Sequence, residues 1–81
     1  MKLPRDVDAR KLVNALNSRL GYELARQTGS HMRLTTIQNG KHSVTVPAHN
    51  PVRVGTLATI LDQVAGHFKI GRDELLKLLF D

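Results

Sequence analysis

Residues 22–47 read YELARQTGSHMRLTTIQNGKHSVTVP, and apolar and polar residues alternate in three short runs of this stretch. Such alternation is typical of strands that bury one face. Gly29 separates the first run from the second, and Asn39-Gly40 separates the second from the third. These turn residues tolerate the positive φ of tight connections. The pattern predicts a three-stranded antiparallel meander with strands at Tyr22–Gln27, His31–Ile37 and His42–Pro47.

A helix is predicted before the sheet, from Val7 or Asp8 to Arg19. Asp6 and Asp8 are both suitable N-caps, because a short carboxylate accepts the free amide hydrogens of a first turn. Gly21 is a suitable C-terminal stop. The apolar residues that recur at helical spacing, as on a buried helix face, are Leu12, Val13, Leu16 and Leu20.

Two further helices are predicted after the sheet. The first follows the loop 48–54, takes Gly55 or Thr56 as its N-cap, and carries an apolar stripe. The second spans about Arg72 to Leu79, and its leucines either complete the core or dock a partner. The order α-β-β-β-α with a short C-terminal helix predicts an α+β fold, in which helices cover one face of a three-stranded antiparallel sheet. The length suits a single domain, residues 1–81.

The composition favours a polyanionic partner. Twelve Lys and Arg against seven Asp and Glu give the 81-residue chain a formal charge of +5. Such an excess on a small surface attracts RNA, DNA, anionic lipid or an acidic protein. The absence of cysteine excludes disulfides and thiolate metal sites, and no apolar run approaches the roughly 20 residues of a membrane span. We therefore expect a soluble, cytoplasmic protein with no membrane association, no cofactor and no bound metal ion.

The polar face of the predicted sheet carries the best candidate for catalysis, His31. If Met32 and Leu34 point into the core, His31 and Arg33 point to the opposite face. Histidine is the side chain whose ordinary pKa lies close to neutrality, so it readily takes or gives a proton. His31 can equally satisfy a turn or contact a phosphate, and the residues alone leave these alternatives open.

Seven further residues are candidate RNA contacts. They are Gly29, Ser30, Arg26, Arg33, Lys41, His49 and Thr56. Each has a simpler interpretation, since basic side chains usually solvate a surface, a loop histidine usually orders its loop, and Thr56 can be a plain N-cap. His42 and His67 are expected to be structural, His67 because a cation suits the C-terminal end of a helix. The spacing of the histidines matches no zinc signature.

Several segments carry a more specific signal when they are read in order. They are Leu20-Gly21-Tyr22, Gly29-Ser30-His31, Val44-Thr45-Val46-Pro47-Ala48-His49, and Gly55-Thr56-Leu57 with Ile60-Leu61. Together they resemble the HicA family, the small toxins of bacterial and archaeal toxin–antitoxin pairs. The resemblance covers the chain from about Asp8 to Leu79.

The resemblance implies a fold like that of double-stranded RNA-binding domains and an activity as an mRNA-cleaving ribonuclease. It also implies a HicB-type antitoxin that neutralises the toxin in a type II toxin–antitoxin system. The family's catalytic histidine follows Gly-Ser, which corresponds to His31. Many members have a second histidine or an aromatic residue shortly after it, whereas Met32, Arg33 and Leu34 follow here.

Three functions follow from these observations. The leading one is a ribonuclease toxin that cleaves mRNA and inhibits translation with a single histidine as general acid/base. A non-catalytic double-stranded RNA-binding module fits the charge and the fold equally well, and an adaptor that binds protein through the C-terminal leucines is the third. The expected partners are mRNA and the antitoxin, which should cover His31 or the basic residues around it. The free protein is expected to be a monomer or a small oligomer.

Overall fold

Three antiparallel strands form one sheet in the computed structural model, which describes residues 3, 4 and 6–80. They are β1 (Glu23–Thr28), β2 (His31–Thr36) and β3 (His42–Pro47), in the order β1-β2-β3. The predicted strands are confirmed: β3 has the expected bounds, β1 lies one residue later, and β2 ends one residue earlier. The expected turn residues have positive φ, with 58° at Gly29, 57° at Asn39 and 95° at Gly40.

The first helix, α1 (Ala9–Leu20), precedes the sheet as predicted. Of the two candidate N-caps, Asp8 is the one used, and its carboxylate accepts the amide hydrogen of Arg10 at 2.7 Å. Gly21 ends the helix with φ 73°, and its amide donates to the carbonyl of Asn17 at 3.0 Å. A left-handed residue at this position is the usual way to turn the chain out of a helix.

Two helices follow the sheet, α2 (Val54–Phe68) and α3 (Arg72–Phe80). Leu75, Leu76 and Leu79 of α3 are buried in the same core as the inward residues of α1, α2, β2 and β3. These three leucines therefore complete the core, as one of the two predicted roles required, whereas Leu78 on the same helix is exposed. Within residues 3, 4 and 6–80, no helix is both long enough and apolar enough to cross a membrane.

The predicted N-cap of α2 is wrong. Arg53 takes the N-cap position, and Gly55 and Thr56 lie within the first turn of the helix. Val52, the residue before Arg53, is buried in the core. Its amide donates to the carbonyl of Val7, in the segment before α1, at 2.8 Å. This contact between distant segments fixes the N-cap residue of the helix. That residue is Arg53, whose side chain makes no capping hydrogen bond.

The helices cover one face of β2 and β3 and leave β1 bare. α2 packs on β3 and on α3, and α1 packs on α3 and on β3. Every residue of β1 is exposed. Burial alternates along β2, where Leu34 is buried and His31 and Arg33 are exposed. The polar outer face predicted from the alternation is confirmed. The β1–β2 hairpin carries Gly29-Ser30-His31 at its tip, where all three residues are exposed.

Candidate active site

A two-residue turn places His31 at the tip of the β1–β2 hairpin. Thr28 and His31 form the last cross-strand pair, so Gly29 and Ser30 make the turn alone. Glycine with positive φ at the first position of a two-residue loop is typical of type II′ turns, whose twist matches that of the flanking strands. A β-carbon on Gly29 would meet nothing within 4 Å. The turn therefore faces open space, and a substrate can approach His31 from this side.

The end of β3 runs beside the same turn. His31 pairs with Pro47, and the amide of Ala48 donates to the carbonyl of Ser30. His49 follows directly and is exposed, so the two histidines lie at the same end of the sheet. Among the described residues, no side chain forms a hydrogen bond with the imidazole of His31, and its ring nitrogens are open to a substrate.

Two arginines oppose each other across β1 and β2. Arg26 and Arg33 are cross-strand partners beside an irregularity in the register, and both are exposed. Like charges directly opposite repel each other. The guanidinium of Arg33 lies towards β3, where its Nη1 donates to Oγ1 of Thr45 at 3.1 Å. No carboxylate in the described part of the chain pairs with either arginine. We call Arg26, Arg33 and His31 the basic face.

Two of the predicted RNA contacts lie apart from this end of the sheet. Lys41 precedes His42, which pairs with the last residue of β2, so Lys41 lies six residues, or about 20 Å, from His31 along the strand. Thr56 lies on α2 and lines a groove together with Arg33. The candidates that the fold brings near His31 are Gly29, Ser30, Arg26, Arg33 and His49. All of these RNA contacts stay predictions.

The arrangement suits proton transfer beside a phosphate. An exposed imidazole can take or give a proton, and a guanidinium next to it can stabilise negative charge that develops on phosphorus-bound oxygens. In residues 3, 4 and 6–80, no three His, Cys, Asp or Glu side chains form a group that could hold a metal ion.

A second histidine cluster, which the sequence reading missed, lies at the other end of the sheet. Tyr22 is fully buried, and its hydroxyl is 2.8 Å from Nδ1 of His42. His42 stacks on His67 of α2, with the ring centroids 4.4 Å apart and the planes 10° apart. Nε2 of His67 donates to the carbonyl of Gln38 at 2.9 Å. The cluster of Tyr22, His42 and His67 thus joins the β2–β3 hairpin to the end of α2, and the expected structural roles of both histidines are confirmed.

The surroundings of Tyr22 and His42 favour the neutral forms of these two side chains. Burial raises the pKa of Tyr22 to about 12, so its hydroxyl keeps the proton that it can donate to His42. Burial also lowers the pKa of His42, and the positive charges of His67 and Arg33 lower it further. Two stacked imidazoles repel each other when both are charged, so a positive charge on His67 opposes protonation of His42.

We expect the free energy of unfolding to fall when the pH is lowered below about 6.5, the ordinary pKa of histidine. In this range the unfolded chain binds a proton at His42 that the folded chain resists, so stability is lost as the pH falls through the lowered pKa of His42. Urea unfolding at a series of pH values measures the effect. His42→Gln should make the pH dependence shallower, whereas His49→Gln, in the exposed loop outside the cluster, should leave it as in the wild type. Equal slopes for wild type and His42→Gln would contradict the prediction.

A protein-family comparison covers most of this structure. Residues 9–65 match the family described as HicA toxin of bacterial toxin-antitoxin. The matched region is more than two thirds of the chain and contains α1, the three strands and most of α2. Neither curated proteins nor solved structures give a significant match. The chain therefore belongs to the HicA family of toxins from bacterial toxin–antitoxin systems.

Proposed function

We propose that this toxin is an endoribonuclease that cleaves mRNA and so inhibits translation, with His31 as its general acid/base. The observation that carries the proposal is the exposed imidazole of His31, which lies at a hairpin tip beside two arginines that lack a carboxylate partner in the described chain. Membership of a toxin family supports a harmful activity in the cell, and the charge of +5 supports a polyanionic target.

The proposed reaction uses the RNA's own nucleophile. The 2′-oxygen attacks the adjacent phosphorus, the bond from phosphorus to the 5′-oxygen breaks, and the products carry a 2′,3′-cyclic phosphate and a 5′-hydroxyl. One proton leaves the 2′-oxygen and one arrives at the 5′-oxygen, so the protein has only to move protons and stabilise charge. A positioned histidine supplies about 10²–10⁴-fold of rate in such a role.

The arginines of the basic face have the second role. Negative charge accumulates on the phosphorane oxygens while both P–O bonds are partly formed, and preorganised donors at that place lower the barrier. Arg33 is the better placed of the two because Thr45 holds its guanidinium over β3. Arg26 lies opposite on β1 and supplies a second positive charge for the RNA backbone.

The same basic face also favours a second function, a non-catalytic double-stranded RNA-binding module. Recognition of duplex RNA by shape needs phosphate and 2′-hydroxyl contacts and no proton transfer. In that case Arg26 and Arg33 would carry the function, and the loss of His31 would have little effect.

The proposed partners are mRNA and a HicB-type antitoxin, and the proposed location is the cytoplasm, where mRNA is translated. An inhibitor of this toxin has to cover the imidazole of His31 or the arginines beside it, because these groups lie on an open face of the sheet. An acidic surface on the antitoxin would complement the basic face.

The proposal is tested by expressing the wild type and His31→Ala from a tightly controlled promoter and following growth and RNA integrity. We expect growth arrest with RNA fragmentation from the wild type and neither from His31→Ala, with circular dichroism showing that the variant folds. Equal growth arrest by both proteins would favour RNA binding without catalysis. The absence of arrest in both would contradict the toxin activity.

A further inference from the structure

A groove with both polar and apolar walls lies beside the basic face, between β3 and α2. Its volume is about 470 Å³. This is at the small end of ligand-binding clefts, which measure roughly 300–1,000 Å³, so the groove has room for about one nucleotide and not for a duplex. The side chains that give it a polar lining are Arg33, Ser43, Thr45, Thr56, Thr59 and Gln63.

The chemistry of the lining suits a sugar-phosphate chain. Hydroxyl and amide groups both donate to phosphate oxygens and accept from ribose hydroxyls, and these groups with arginine make most contacts to nucleic-acid backbones. None of the described residues that line the groove is acidic. Asp62, next to Gln63 on α2, is held by Arg72 of α3, whose Nη2 lies 2.7 Å and 2.8 Å from its two carboxylate oxygens. An anionic ligand in the groove therefore meets no negative charge among the described residues of its walls.

The groove is continuous with the basic face through Arg33. This arginine faces the same side of β2 as His31, two residues away, which corresponds to roughly 7 Å along a strand. Its contact with Thr45 places the guanidinium over β3, at the entrance of the groove. An RNA strand that runs from His31 along β2 would therefore pass Arg33 and enter the groove, which Thr59 and Gln63 of α2 also line.

The groove offers little aromatic surface on which bases could stack. Among the described residues of its lining, His42 has the one aromatic ring, and a face of that ring is stacked on His67. Single-strand binders that hold bases rely on exposed aromatic faces. Contacts here would be made to the backbone, which carries no sequence information of its own.

We propose that the groove between β3 and α2 binds the ribose-phosphate backbone of single-stranded RNA next to the nucleotide that is cleaved at His31. The inference rests on the proposed function, because it assumes that the RNA lies at His31. It assigns to Thr59 and Gln63 a role in holding substrate, and it predicts that the cleaved region is unpaired.

The test compares Thr59→Glu with Ser18→Glu. Thr59 and Ser18 are both exposed helix residues whose hydroxyls donate to the carbonyl four residues earlier, but Ser18 lies on α1, outside the groove. Both variants change the net charge equally. The binding of a fluorescent single-stranded RNA 12-mer and of a duplex of the same sequence is measured at one fixed salt concentration, in the His31→Ala background so that the RNA stays intact.

We expect Thr59→Glu to weaken binding of the single strand about tenfold and Ser18→Glu to weaken it less than about twofold. Equal effects of the two variants would overturn the proposal, and so would an equal loss of duplex binding by Thr59→Glu. RNA cleavage by the His31-containing proteins is followed in parallel. If cleavage depends on His31 but Thr59→Glu and Ser18→Glu weaken RNA binding equally, the groove proposal is overturned and the nuclease proposal stands. Groove-dependent binding without cleavage would overturn the nuclease and leave the groove as an RNA site.

Discussion

Purified His31→Ala protein is expected to cleave single-stranded RNA about 10²–10⁴-fold more slowly than the wild type. The variant removes the exposed imidazole at the tip of the β1–β2 hairpin, the one acid/base group on the basic face. The substitution should cost less than about 0.5 kcal/mol of stability, because an exposed side chain without a hydrogen-bond partner among the described residues contributes little to folding. Initial rates with an end-labelled RNA and urea unfolding of the same preparations measure both quantities.

His49→Ala is the matched control for this experiment. His49 is the other exposed histidine at the same end of the sheet. If His31 both takes and gives the proton, His49→Ala should keep most of the rate; if the two histidines share the roles, both variants should lose rate and the wild type should show a bell-shaped pH–rate profile. A 2′-deoxy nucleotide at the cut site should block cleavage in either case. Full activity of His31→Ala would exclude His31 from the chemistry.

The local features of the fold could be predicted from the sequence because short stretches determine them. Gly29, Gly21 and Asn39-Gly40 each have the left-handed conformation that their residue type favours. The period of two in β2 and β3 gave the buried and exposed faces correctly, so the outward position of His31 and Arg33 followed from the strand pattern alone.

The features that the sequence did not reveal depend on contacts between distant segments. The N-cap of α2 was misplaced because the position of Arg53 depends on the anchoring of Val52 to the segment before α1. The stacking of His42 on His67 joins residues 25 positions apart and depends on how α2 packs on β3. The pairing of Arg26 with Arg33 depends on the register irregularity in β1, which alternation alone does not predict.

The double variant Arg26→Ala/Arg33→Ala is expected to bind RNA more weakly and with a weaker dependence on salt. Each phosphate contact to a single strand contributes about 0.7 to the slope of log K against log salt concentration, so the loss of two contacts should reduce the slope by about 1.4. Equilibrium binding at several salt concentrations measures the slope. Cleavage rates at saturating RNA show whether the arginines also act in the transition state.

The control for the arginine pair is Arg19→Ala/Lys77→Ala. This double variant also removes two positive charges, but from the last turns of α1 and α3, away from the polar face of the sheet. A general effect of net charge would change binding equally in both double variants and would contradict a binding role for the basic face. If binding weakens only when Arg26 and Arg33 are lost, while the rate at saturation stays unchanged, the pair holds the RNA backbone without acting on the reaction. A fall in the rate at saturation as well would mean that at least one guanidinium stabilises the phosphorane. Arg33 is then the residue to test alone, because its guanidinium is held by Thr45 between His31 and the groove.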